Sequence, residues 1–124
     1  MKKIFSHIGL PMLIVLLTGM ASIAQQNTPQ NQTQMKTYVI ERNIPGAGQF
    51  TAEKLKDISK TSCSVLKDMG PGIQWLQSYV TDNKIFCVYK AENEAMLREH
   101  AQKGGFPITN IYEVSSVISP ATAN

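Results

Sequence analysis

The chain reads as an α+β protein of the ferredoxin-like class, an antiparallel sheet with two helices on one face. Three observations predict it: a hairpin from Ile73 to Ala91, a helical stretch on either side of it, and a further strand at each end. The order is then β, α, β, β, α, β, and right-handed crossovers place the first and third strands side by side at the centre of the sheet.

The first residues precede this domain. Lys2 and Lys3 stand ahead of an apolar run centred on Leu10 to Leu17, and the small residues Ser22 and Ala24 follow. This is the layout of a secretory signal, with cleavage expected after Ala24, and the apolar run is too short for a comfortable permanent span. Residues 1–24 are therefore read as a signal peptide on an exported protein, periplasmic or secreted, with no stable membrane anchor after cleavage. Residues 25–35 begin with QQNTPQNQTQ, a polar stretch without charge or a large apolar side chain, and read as a disordered tether. The domain is expected over 36–120 and a short tail over 121–124.

Removing the leader changes the charge argument. Of 12 basic residues Lys2 and Lys3 belong to the leader, leaving 10 against 9 acidic residues. So even a balance is no footprint for nucleic acid or an anionic membrane.

Within the domain, Lys36 to Arg42 (KTYVIER) is a strand, and NIPGAGQ at 43–49 breaks it, since Pro45 lacks a donor and the glycines turn readily. Gly46 and Gly48 lack the spacing and the Lys-Ser/Thr of a phosphate loop, so this is a structural turn. Thr51 caps a helix whose stripe runs through Leu55, Ile58, Ser62, Val65, Leu66 and Met69, and Gly70-Pro71-Gly72 ends it. The hairpin follows, its arms rich in aromatic and β-branched residues and joined at Asp82-Asn83. A two-residue loop pairs Thr81 with Lys84. Counting outward puts Leu76, Ser78, Val80, Ile85, Cys87 and Tyr89 on one face, and Trp75, Gln77, Tyr79, Phe86, Val88 and Lys90 on the other. Both faces carry large apolar groups, so both need a cover. Helices supply one; a second subunit or a ligand supplies the other. Asn93 caps a second helix, Glu94 to Lys103, with Met96, Leu97 and Ala101 inward and Gly104-Gly105 as its stop. Asn110 to Ile118 is the last strand, and Pro120 ends regular structure.

Few residues invite chemistry. Cys63 and Cys87 either pair, as export to an oxidising compartment favours, or remain two free thiols; the lack of a C-x-x-C opposes thioredoxin-type activity. His100 is the one histidine beyond the leader. A lone histidine is either a helix residue near a C-terminal dipole or a metal ligand that needs carboxylates such as Glu41, Glu99 or Glu113, or a second subunit. Glu41 and Arg42 close the first strand, as a surface pair or at the mouth of a cavity. Trp75, Tyr79 and Phe86 are core, interface or cavity wall.

Taken together, YVIERNIPGAG, SCSVLKDMGPGIQWLQSYVTDNKIFCVYKA and REHAQKGGFP resemble a family of small, mostly bacterial ferredoxin-like domains of unknown function, some of them labelled nickel-binding proteins. The resemblance runs from Met35 to Ala121. It matches at Glu41, Arg42, Pro45, Gly46, Cys63, Gln74, Trp75, Ser78, Tyr79, Cys87, Tyr89, His100, Gly105 and Phe106. It implies a homodimer in a dimeric α/β barrel-like assembly, with a capacity for nickel or another divalent transition metal; the sequence indicates no organic cofactor. His100 is then the imidazole ligand, and Glu41 and Glu99 are the candidate carboxylates. The expectation is an exported metal-binding protein. Its alternatives are a small dimeric enzyme or small-molecule binder using the open sheet face, with Glu41 or His100 as base and Arg42 as anchor, and a structural interaction module.

Overall fold

A computed structural model describes residues 33–124, together with Gly9; the rest of the expected signal peptide and most of the expected tether lie outside the described residues. Four strands and two α-helices follow in the expected order: β1 (Lys36–Asn43), α1 (Ala52–Met69), β2 (Ile73–Val80), β3 (Lys84–Ala91), α2 (Glu94–Gly104) and β4 (Asn110–Glu113). The sheet is antiparallel in the order β2-β3-β1-β4, with β1 and β3 central, which is the ferredoxin-like arrangement.

Period-2 alternation sorts β1 by face, although Glu41 on the open side is buried as well. Tyr38, Ile40 and Arg42 face the helices and are buried, and Ile40 meets Ile73, Ile85, Cys87, Tyr89, Ala91 and Leu97 in one core. Val39 and Glu41 face the opposite, open side of the sheet.

Both helices begin where their caps predict. Thr51 Oγ1 accepts from Lys54 N at 3.1 Å, and Asn93 Oδ1 accepts from Met96 N at 3.1 Å. The end of α2 is more consequential. Gly105 takes φ +70°, its N–H reaches Gln102 O at 3.3 Å, and Phe106 N–H reaches back to Ala101 O at 2.8 Å. This left-handed closure folds Phe106 back against the helix it follows.

The hairpin departs from simple counting at one residue. Thr81 N donates to Lys84 O at 2.8 Å, and Val80↔Ile85, Tyr79↔Phe86 and Ser78↔Cys87 pair as expected. The register then shifts, so that Gln77 faces Val88 while Trp75 faces Tyr89, leaving Leu76 as an extra residue. A bulge of this kind flips everything beyond it. Trp75 therefore lies on the helix side with Cys87 and Tyr89, not on the open face with Tyr79 and Phe86.

β4 is also shorter than expected, four residues rather than nine. Its partner runs out: Val114 N bonds Thr37 O at 2.8 Å, and β1 begins one residue earlier at Lys36. A further short helix turn occupies Pro120–Ala123, where the sequence signalled only an end.

Candidate functional site

A cavity of about 790 Å³ lies between the N-terminal half of α1 and the strands. Leu55 and Ile58 of α1, Trp75 of β2 and Phe106 after α2 supply apolar walls, and Arg42, Ser62, Ser78, Cys87 and Tyr89 bring polar atoms to the lining. A small-molecule site is usually built this way, mostly apolar with a few convergent polar groups.

Arg42 is the central group. It is 3% exposed, and a guanidinium stays charged at any ordinary pH. Its Nη1 donates to Pro107 O at 2.6 Å, its Nε to Cys87 Sγ at 3.3 Å, and its Nη2 to Tyr89 OH at 3.5 Å. The Phe106 ring lies beneath it, with Cζ 5.5 Å from the centroid. All these partners are neutral. Among the described residues no carboxylate pairs with Arg42.

His100 lies behind this group, fully buried. Ser62 Oγ sits 3.1 Å from its Nε2, its ring is flanked by Tyr89 and Phe106 at 5.3 and 5.4 Å between centroids, and its Nδ1 has no partner among the described residues. Burial first, and then the Arg42 cation, depress its pKa, so the imidazole is held neutral. Burial first, with Cys87 nearby, pushes the Tyr89 phenol up to about 12, so its hydroxyl keeps its proton.

The residues expected to share a metal are apart. Glu41 occupies the open face, where its carboxylate accepts from Lys84 Nζ at 2.6 Å, Asn110 Nδ2 at 3.0 Å and Tyr112 OH at 3.1 Å. Glu99 is exposed on α2 and paired with Lys103 at 2.7 Å. His100 is inside, with the sheet between it and Glu41. No group of three or more His, Cys, Asp or Glu among the described residues is placed to hold a metal ion. The nickel implied by the resemblance therefore does not fit these three residues as one chain arranges them.

The other expected site residues also divide by face. Tyr79 is exposed and Phe86 half-buried on the open side, whereas Arg42 and Trp75 belong to the cavity on the helix side, where Trp75 Nε1 donates to Ser78 Oγ at 2.9 Å. Cys63 is exposed and Cys87 buried, and both thiols are free. The cavity thus lies against the helices rather than on the open face where a ligand was expected.

Sequence reasoning passed over Ser62, Ser78, Tyr89 and Phe106 as site residues. One signal was available: Ser62 interrupts an otherwise apolar stripe on α1, and a polar group there needs a buried partner. Phe106 gave no such signal, because its position depends on the closure at Gly105.

Comparison with known proteins agrees with the fold. No curated protein matches the chain significantly. Among solved structures, SCO4226 from Streptomyces coelicolor A3(2) is similar, with a TM-score of 0.57 and 15% identity over 66% of this chain and 99% of that one. The family model described as nickel responsive protein SCO4226-like matches residues 38–114, from the second residue after the start of β1 to just beyond β4. That match takes in all of the sheet but the first two residues of β1, both helices and every residue around the cavity, and the chain belongs to the SCO4226-like family of nickel responsive proteins.

Proposed function

We propose that this chain is an exported, dimeric binding protein that acts in a response to nickel, and that its ligand site is the cavity beside Arg42. The cavity itself carries the reading: about 790 Å³ of space with apolar walls and a buried cationic group, within the size range of small-molecule sites. The family description supports the link to nickel, and the leader of residues 1–24 supports export. Dimerisation across the open sheet face would cover Tyr79, Phe86 and Tyr112.

A second reading, direct binding of divalent nickel, is favoured by the family description. His100, Glu41 and Glu99 remain its candidate ligands. Bringing them to one ion requires His100 to leave its buried place or a different chain arrangement.

Native mass spectrometry of the chain purified without a histidine tag, before and after adding nickel, zinc and copper, separates the two. A dimer carrying a co-purified small organic molecule, or binding one from a library, is the expected result. Defined nickel equivalents held by the parent and lost in His100→Ala would move the function to direct metal binding.

A further inference from the structure

Resting on the cavity as the ligand site, we infer that its ligand is a small organic acid, with a carboxylate on Arg42 and an apolar body against Trp75 and Phe106. The argument begins with desolvation. A buried guanidinium without a counter-charge is costly, and folded chains ordinarily pair such a cation with a carboxylate. Arg42 has no carboxylate partner among the described residues. Three of its five N–H groups meet a thiol, a carbonyl and a phenol, which leaves two without an acceptor among those residues. Lys54 and Asp57 also lie along the cavity wall, but both are exposed, opposite in charge, and Asp57 sits 3.9 Å from Lys60.

The neighbouring polar groups favour an acceptor-rich guest. Tyr89 accepts from Arg42 and keeps its own proton to donate. Ser78 accepts from Trp75 Nε1, so its hydroxyl proton is also free. The cavity lining therefore offers donors from three side chains. A carboxylate is acceptor-only and planar, and it fits a guanidinium edge. One buried positive charge matches one negative charge, which favours a monoanion over a phosphate dianion. The surrounding Leu55, Ile58, Trp75 and Phe106 suit an aliphatic or aromatic body.

Trp75 is the only tryptophan in the chain and stands on the cavity wall, so its emission reports occupancy directly. Phenylacetate and octanoate are titrated into the purified full chain alongside their neutral amides, phenylacetamide and octanamide. At least one acid should change Trp75 emission saturably and bind about tenfold or more tighter than its amide, the advantage of a charge-assisted bond over a neutral one. In Arg42→Met that preference should vanish while weak binding of the apolar body persists. Arg42→Lys should keep part of the preference, because the charge remains and the bidentate edge is lost. Equal affinity for acid and amide in the parent overturns the organic-acid assignment and leaves the cavity reading standing. A preference for acid that survives in Arg42→Met overturns the role of Arg42. If neither acid nor amide binds, the assignment falls together with the cavity as ligand site. The comparison of acid with amide needs only the parent protein, so it decides even if Arg42→Met does not fold.

Discussion

Because burial and the Arg42 guanidinium both disfavour a charged imidazole, His100 in the fold takes up a proton at lower pH than the ordinary histidine value of 6.5. Above that value both folded and unfolded chains hold a neutral ring, and its contribution to stability is complete. As pH falls below it, the unfolded chain is protonated first and stability declines. Urea denaturation between pH 7.5 and 5.5 should show this slope, and His100→Gln should flatten it; an unchanged slope in the variant would place the titration elsewhere. Glu41 acts in a separate window. The bond from Lys84, then those from Asn110 and Tyr112, hold its carboxyl at about 2, below the ordinary glutamate value of 4.5, against the opposing effect of burial. Its stabilisation is complete above about pH 4.5 and is lost as pH falls towards 2. Acid unfolding followed by circular dichroism should lose that component in Glu41→Gln. The two windows do not overlap at their upper ends, so the two residues can be told apart by pH alone.

At the scale of elements, the closure of α2 positions both His100 and the cavity wall. Replacing glycine by alanine in a helix normally stabilises by about 1 kcal/mol. At Gly104 the opposite sign is expected, because a Cβ there would collide with the Phe106 ring. Either the helix end or the ring must move, and overpacking of this kind costs about 1–3 kcal/mol. A lowered urea midpoint for Gly104→Ala, with changed Trp75 emission as Phe106 leaves its place, checks this; a raised midpoint would show that the ring moves at no cost. The same element scale explains what the sequence disclosed. Helix starts at Thr51 and Asn93, the stop at Gly104-Gly105, of which Gly104 proves to be the last residue of α2, and the turn at Asp82-Asn83 were legible because each depends on local chemistry. The bulge at Leu76 was not, because nothing in IQWLQSYV distinguishes an extra residue from a regular one; only pairing with β3 reveals it. One undetected residue put Trp75 on the wrong face, and with it the expected cavity. The length of β4 was hidden for a related reason, since it is set by where β1 begins and not by the strand propensity of NIYEVSSVI.

For the whole molecule, the two faces of the sheet have separate duties, which gives the assembly a clean test. On the helix side lie the core, the cavity, Arg42 and His100. The open side carries Val39, Phe86 and Val88 half-buried, with Tyr79 and Tyr112 more than half exposed at 56% and 51%. The expectation of a second cover came from the apolar residues on both hairpin faces, and with Trp75 reassigned the open face still holds Tyr79, Phe86 and Val88. What sequence could not show was that Glu41, Lys84, Asn110 and Tyr112 would bond among themselves on this face, because three strands contribute them. If two subunits meet across the open face, a charge at its exposed aromatic should separate them, since an unpaired carboxylate is costly in an apolar interface. Tyr79→Glu is therefore expected to convert a dimer to a monomer in sedimentation velocity, with Trp75 emission unchanged because that indole lies on the other side of the sheet. The paired readout distinguishes lost association from lost folding: a monomer with unaltered Trp75 emission supports the open-face dimer, and a dimer that persists in Tyr79→Glu places the interface elsewhere.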